Sequence, residues 1–270
     1  MTAALTGTEI RSLPPDAARL AIREGRWTGQ TAGLAEGYVQ ANLVILPSAD
    51  ALDFAEFCRL NPKPCPVIDT TKAGSPHPIL AAPAADLRTD LPRYRVYRDG
   101  DLVDEPLDVS GWWQDDLVAF LLGCSFTFEH GLLRAGIPMR HIDAGTGVPM
   151  WRTNRACTPV GDFHGPLVVS MRPIPAHQVD LAIEVSGRLP EVHGAPVHVG
   201  DPGELGISDL SKPDWGDAPI VEDGDVPVFW ACGVTPQAVA LESKPGFMIT
   251  HSPGHMFVTD LRIEDLKRRG

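Results

Sequence analysis

The sequence has little that would place it in a membrane, on nucleic acid or in a disulfide-stapled fold. Its longest apolar runs, such as Leu117–Leu122, fall far short of the roughly 20 residues that span a bilayer. The formal charge is −12, from 23 Lys and Arg against 35 Asp and Glu, and no basic stripe interrupts the acidic excess. Such a surface repels a phosphate backbone, so nucleic acid is not an expected partner. The five cysteines, Cys58, Cys65, Cys124, Cys157 and Cys232, form no Cys-x-x-Cys pair. That leaves zinc-ribbon and thioredoxin-like sites without support and fits free thiols in a reducing compartment. Residues 1–10 show neither the basic segment nor the apolar core of a signal peptide, so a cytoplasmic protein is expected. No GxGxxG follows a strand, and neither GxxxxGK[ST] nor GxSxG occurs. Nucleotide-cofactor and α/β-hydrolase chemistry therefore have no motif behind them, and no cofactor is expected.

The chain does have enough apolar residues, 43% of 270, to bury a sizeable core. It carries 26 Gly and 26 Pro, spread throughout, which implies many short elements joined by rigid turns. Pro14-Pro15-Asp16 opens a helix that runs through Ile22 and stops near Gly25. Thr31–Leu46 reads as a second helix, apolar at Leu34, Tyr38, Ala41 and Ile45. A third starts at Ser48 or Asp50 and ends before Pro62. A strand follows at Pro66–Ile68. Arg93–Arg98 and Leu102-Val103 flank Asp99-Gly100, the signature of a type I′ hairpin. Trp113–Leu122 and Phe128–Ala135 read as helices ending at Gly123 and Gly136. Further on, Leu167–Met171, Pro196–Val199, Val226–Ala231 and Phe247–Thr250 are expected strands. Helices are expected at Pro175–Val185 and Pro236–Glu242. The mixture predicts an α/β (mixed α+β) fold whose sheet is built from distant segments, as two interleaved lobes. Residues 1–270 are expected to form one compact unit, with 125–200 as the place for an inserted second lobe.

Polar residues gather where strands meet turns. Gly123-Cys124-Ser125 could bring backbone N–H groups, a thiol and a hydroxyl to a ligand, or could simply be a tight turn with a buried Cys. Arg152 with Thr153 and Asn154 could clamp a carboxylate, or form a surface ion pair. Ser170 and Arg172 repeat that chemistry at the end of a very apolar strand, near the carboxyl edge where open α/β sheets place ligands. His193, His198 and Asp201 surround a Gly-Ala-Pro turn. They suit proton transfer or, less readily, a metal, although their spacing matches no zinc signature. His251 and His255 flank Ser252-Pro253-Gly254, where Pro-Gly rules out a regular helix and with it the HExxH reading; a loop site with Asp260 stays open.

Several segments together carry a family likeness: Thr31–Leu43, Asn61–Pro66, Arg88–Tyr94, Phe120–Phe126, Pro149–Asn154, Gly165–Pro173, His193–His198, Phe229–Gln237 and Thr250–Met256. Through them the chain resembles the bacterial YcsI-like (DUF1445) family of proposed hydro-lyases, to which the D-glutamate cyclase domain is related. The likeness runs from about Arg19 to Leu261. It implies an α/β arrangement and loss of water from a small amino or carboxylic acid, as in conversion of D-glutamate to 5-oxo-D-proline.

Chemistry then suggests roles for the candidates. Arg152 or Arg172 would hold the α-carboxylate, helped by Asn154, Ser170 and His198. His193 would take a proton from the ammonium, and Ser125 would stabilise the oxyanion. A histidine or Asp201 would protonate the departing water, and Cys124 as a covalent nucleophile is a variant. Substrate carboxylates approaching an acidic protein require a locally positive pocket. The alternatives are a hydratase or dehydratase of another small acid, or a non-catalytic binder of such acids. The default expectation for assembly is a homodimer.

Overall fold

The computed structural model describes residues 3–266. Two antiparallel sheets organise the chain, in keeping with the mixed α/β expectation. Eleven strands are present among the described residues. They are β1 (Tyr38–Pro47), β2 (Val67–Thr70), β3 (Tyr94–Arg98), β4 (Asp101–Asp104), β5 (Leu117–Gly123), β6 (Met150–Ala156), β7 (Pro166–Pro175), β8 (His198–Val199), β9 (Asp225–Ala231), β10 (Met248–His251) and β11 (Phe257–Arg262). The larger sheet runs β2-β5-β1-β10-β3-β4, with β11 also paired to β1. The smaller runs β6-β7-β9-β8.

The centre of the larger sheet corrects two expectations. Thr31–Leu46 is not a helix: Gly33, Ala35 and Gly37 all adopt positive φ, and the chain then enters β1. Trp113–Leu122 is not a helix either, but a 3-10 turn at Ser110–Trp112 followed by β5. Both strands are buried on both faces, β1 between β5 on one side and β10 and β11 on the other. A strand in that position is apolar throughout, so it shows no alternation to distinguish it from a buried helix. Gly123 thus closes a strand rather than a helix.

Other elements form as local chemistry dictates. Asp99 and Gly100 have φ of 49° and 84°, and the β3–β4 hairpin turns on them. Pro15–Arg23 and Ser48–Leu60 are helices, and Phe126–Arg134 is a third, starting two residues earlier than expected. The segment expected as a helix from Pro175 instead completes β7, makes a 3-10 turn at Ala176–Gln178 and becomes helical at Val179–Gly187. One irregularity in the larger sheet matters later. β10 ends at His251 and β11 begins at Phe257, which leaves a gap beside Leu43 of β1. The His251 ring fills it, its Nδ1 accepting from the Leu43 N–H at 3.1 Å. No helix among the described residues is long and apolar enough to cross a membrane.

Candidate functional site

A small cavity lies where residues of the two sheets meet. Asn42 comes from β1 and the Cys124–Phe126 step from just beyond β5. Met150 and Ser170 come from the second sheet, Cys232–Val234 from just past β9, and Pro253, Gly254 and Met256 from the loop before β11. Gln30, Gly147, Val148 and Gly216 complete the wall. Its volume is about 40 Å³, room for roughly three water molecules. Cys124, Phe126, Val148 and Met256 form one continuous apolar cluster on its wall.

Behind the polar part of the wall lies a buried ionic cluster. Ser170 and Arg172 are two apart on β7, so their side chains share a face. Ser125 precedes the helix Phe126–Arg134 and Glu129 lies one turn further on, so these two also point the same way. The faces meet at the Arg172 guanidinium, which is 1% exposed. Its Nη1 donates to Ser170 Oγ at 2.6 Å, its Nη2 to Ser125 Oγ at 2.8 Å, and its Nε to Glu129 Oε1 at 2.9 Å. Phe128 and Trp230 pack against it, with ring centroids 5.5 and 5.7 Å from Cζ. His141 Nε2 lies 3.3 Å from Glu129 Oε1. Burial alone would raise the Glu129 carboxyl, but the His141 and Arg172 charges and hydrogen bonds hold it at about 2.

The direction of these bonds has a chemical consequence. A guanidinium only donates. Each serine oxygen therefore accepts from Arg172, and each hydroxyl proton is free to point elsewhere. Ser125 and Ser170 both line the cavity. The result is a pair of hydroxyl donors polarised by a buried cation that does not itself line the cavity.

Asn42 adds a carboxamide, its Nδ2 donating to the Gly123 carbonyl at 2.8 Å. Only glycine fits at 233, where a Cβ would come within 2.0 Å of that nitrogen. The two thiols on the wall, Cys124 and Cys232, are pushed up by burial and remain protonated.

The sequence candidates thus separate into groups. Cys124, Ser125, Ser170 and Arg172 come together at the cavity. Arg172 sits mid-strand opposite Val228 rather than beyond the end of β7. His193 lies outside the lining, completely buried in a left-handed conformation, φ 82°. Its Nδ1 donates to the Lys63 carbonyl at 2.6 Å, so Nε2 carries only a lone pair, and that atom has no partner. Burial first, and then the positive charges of Arg172 and Lys63, lower its pKa to about 4.

Asn154, His198 and Asp201 gather elsewhere, around the short turn Pro202–Leu205, and Arg152 faces Asp214 and Trp215. Arg152 is half-exposed, 3.7 Å from Asp214 and stacked on Trp215. Asn154 donates to the Glu204 carbonyl, His198 Nε2 to the Asp201 carbonyl, and the Asp201 carboxylate caps the turn at Gly203. None of the four lines the cavity. His251, His255 and Asp260 do not converge either: His255 bonds the Pro253 carbonyl and Asp260 pairs with Arg19. Among the described residues, no three His, Cys, Asp or Glu side chains are grouped to hold a metal ion.

Reading the sequence alone misses Glu129, His141 and Gln30. It also leaves Asn42, Cys232, Gly233 and Met256 unselected, although these lie within the segments that carry the family likeness. For Glu129 the available signal is its spacing of four from Ser125 on a helix.

Comparison with known proteins agrees with the likeness. A model of the D-glutamate cyclase family matches residues 118–260, which hold every lining residue except Gln30 and Asn42. A proposed hydro-lyase of Stutzerimonas stutzeri is 59% identical over 96% of this chain and 98% of its own. The proposed hydro-lyase YcsI of Bacillus subtilis is 57% identical over 94% and 99%. A counterpart in Rubrobacter xylanophilus is 62% identical over 91% and 95%. Among solved structures, a nitrogen repressor-like protein of Methanococcus jannaschii overlaps 80% of this chain and 83% of its own at 11% identity, with a TM-score of 0.36; a likeness of that size carries no argument.

Proposed function

The chain belongs to the D-glutamate cyclase family, and from that premise we propose that it is a hydro-lyase acting on a small amino or carboxylic acid in the cavity, with D-glutamate as substrate and 5-oxo-D-proline and water as products. The observation that carries the reading is the Arg172 guanidinium donating to both Ser125 and Ser170 at the cavity wall. Two hydroxyls so polarised suit an anionic oxygen, because hydrogen bonds to charged acceptors are the strong ones. In this reading they hold the α-carboxylate, while Arg172 acts through them. The reacting amine and γ-carboxyl then lie against the apolar remainder of the wall, where an intramolecular attack needs only the substrate to be held folded.

The cavity as it stands holds a few heavy atoms, so binding a molecule the size of glutamate requires the wall to part. Gln30 and Pro253-Gly254 are among its loop-borne members. Thr31 ties the two loops together, its N–H donating to the Gly254 carbonyl and its Oγ1 accepting from the Met256 N–H.

The test is incubation with D- and L-glutamate, with and without added divalent metals, following 5-oxoproline by chiral chromatography. Product from the D-isomer, lost in Ser125→Ala and Arg172→Met proteins that still fold, supports the reading. No product under any of these conditions removes D-glutamate as the substrate.

A further inference from the structure

Asn42 is held by its nitrogen and leaves its oxygen to the cavity. On β1 it lies opposite Leu122 of β5. Its Nδ2 donates to the Gly123 carbonyl at 2.8 Å and reaches the Leu122 carbonyl at 3.4 Å. Carbonyls only accept, so the nitrogen must be the end that faces them; turned over, the amide would set Oδ1 against two other oxygens. The backbone at Gly233 confines the amide from another side, since a Cβ there would lie 2.0 Å from Nδ2 and 2.6 Å from Oδ1. Among the described residues, no N–H or O–H donates to Oδ1. Unlike Oε1 of Gln40, two residues earlier, it is not an orphan sealed inside protein. Asn42 is buried and lines the cavity, so the space open to Oδ1 is the cavity itself.

The wall therefore carries two opposite kinds of polar group. Ser125 and Ser170 offer hydroxyl protons, because their oxygens accept from Arg172. Asn42 offers an acceptor. A carboxylate only accepts and an ammonium only donates. A carboxylate thus gains nothing from Oδ1, whereas a charged N–H donor makes one of the stronger hydrogen bonds with it. The cavity, at about 40 Å³, is small enough for one compact head group to meet both kinds. All three side chains sit on the frame rather than on the loops. Asn42 and Ser170 belong to β1 and β7, and Ser125 lies in the step between β5 and the helix Phe126–Arg134. Gln30 and Pro253-Gly254, which must part to admit a ligand, lie outside these elements.

Resting on the cyclase reading, we infer that Asn42 is the residue that recognises the substrate's α-amine, with the adjoining α-carboxylate on the Ser125–Ser170 pair, so that the cavity selects an α-amino acid over the same acid without nitrogen. The two head groups of an α-amino acid are one carbon apart, which matches donors and an acceptor facing one small space. By taking one N–H, Oδ1 also fixes the direction in which the nitrogen faces. The rigid hold on the Asn42 amide makes this a preorganised contact, so little ordering cost falls on binding.

The test is binding of D-norvaline and of pentanoate, measured by calorimetry on the wild type and on Asn42→Ala. The two ligands share the carbon chain and the carboxylate and differ in the amine, and neither has a side-chain carboxyl with which to cyclise. A hydrogen bond to a charged group is worth roughly 10- to 100-fold in affinity. The wild type should prefer D-norvaline by about that factor. Asn42→Ala, shown to be folded by its thermal unfolding, should bind the two alike, through loss of affinity for D-norvaline with pentanoate unchanged. A wild type without the preference would overturn the inference whether or not the variant folds, and so would a folded Asn42→Ala protein that keeps it. In either case formation of 5-oxoproline from D-glutamate by the wild type would leave the cyclase reading standing. Absence of that product would remove the reading, and the inference with it.

Discussion

At the scale of single residues, Arg172 illustrates how a buried charge can serve a site it does not touch. Glu129 offsets its charge, and the two serines take up the donors that remain. Removing the cation leaves Glu129 buried with His141 as its remaining partner, so Arg172→Met should cost about 3 kcal/mol in urea unfolding, the low end for a broken buried pair. Pairing it with Glu129→Leu should restore most of that stability and none of the turnover, which separates the structural role of the pair from its effect on the serines. Ser125→Ala should behave differently. It loses one hydrogen bond worth about 1 kcal/mol, because Nη2 retains Glu129. Yet on the proposed reading its turnover should fall about 100-fold, as when a single preorganised donor is removed. A stable, fully active Ser125→Ala protein would remove the donor pair from the mechanism. Ser125, Ser170 and Arg172 can be singled out from the sequence because each is a polar residue beside an apolar strand or a glycine. Glu129 is less visible: it reads as one more acidic residue in the first turn of a helix, where carboxylates are common for reasons of helix polarity alone.

At the scale of elements, the close approaches that set the cavity are backbone approaches. The end of β5 packs against the 3-10 turn Pro190–Val192 so tightly that a Cβ on Gly123 would come within 1.9 Å of the Glu191 carbonyl oxygen. Backbone cannot rotate away as a side chain can, so Gly123→Ala should destabilise by about 1–3 kcal/mol or more and displace the adjoining Cys124 and Ser125. Thermal unfolding measures the first effect and loss of turnover the second. The His251 ring bridges the gap between β10 and β11. His251→Leu strands the Leu43 N–H in the core at a cost of about 1–3 kcal/mol, and hydrogen exchange at Leu43 should speed up accordingly.

Over the whole molecule, two histidines held neutral by burial tie stability to pH. His193 is lowered to about 4 and His251 to about 3 from an ordinary 6.5, desolvation being the main cause in each. Between those values and 6.5 the unfolded chain binds the extra protons. Stability is therefore complete above about pH 6.5 and is lost as pH falls through 4 and 3. Glu129, held near 2 against an ordinary 4.5, adds a further loss below about pH 4.5 of the same sign. Each histidine contributes a slope of order 1 kcal/mol per pH unit within its window. Urea midpoints at pH 7, 6 and 5 should fall steadily, and His193→Asn should flatten the decline. An equal slope in that variant would assign the effect to other groups.

The class of fold, the hairpin at Asp99-Gly100, the helices Pro15–Arg23 and Ser48–Leu60 and the family likeness are all legible in the order of the residues. Each rests on local chemistry: a turn that requires positive φ, a proline at a helix start, a run of residues matched in order. That Thr31–Leu46 and Trp113–Leu122 lead into the central strands β1 and β5 is visible only in the folded chain. Continuous apolar character comes from burial on both faces, and burial is a property of neighbours rather than of the segment. Tertiary structure also gathered Ser125, Ser170 and Arg172 into one cluster with Glu129, placed Asn154, His198 and Asp201 around a separate turn, and set Arg152 beside Asp214 and Trp215. In sequence all of these are polar residues near glycines and strand ends. What separates them is which distant backbone lies opposite, and for Arg172 that partner is the helix Phe126–Arg134, about 40 residues earlier in the chain.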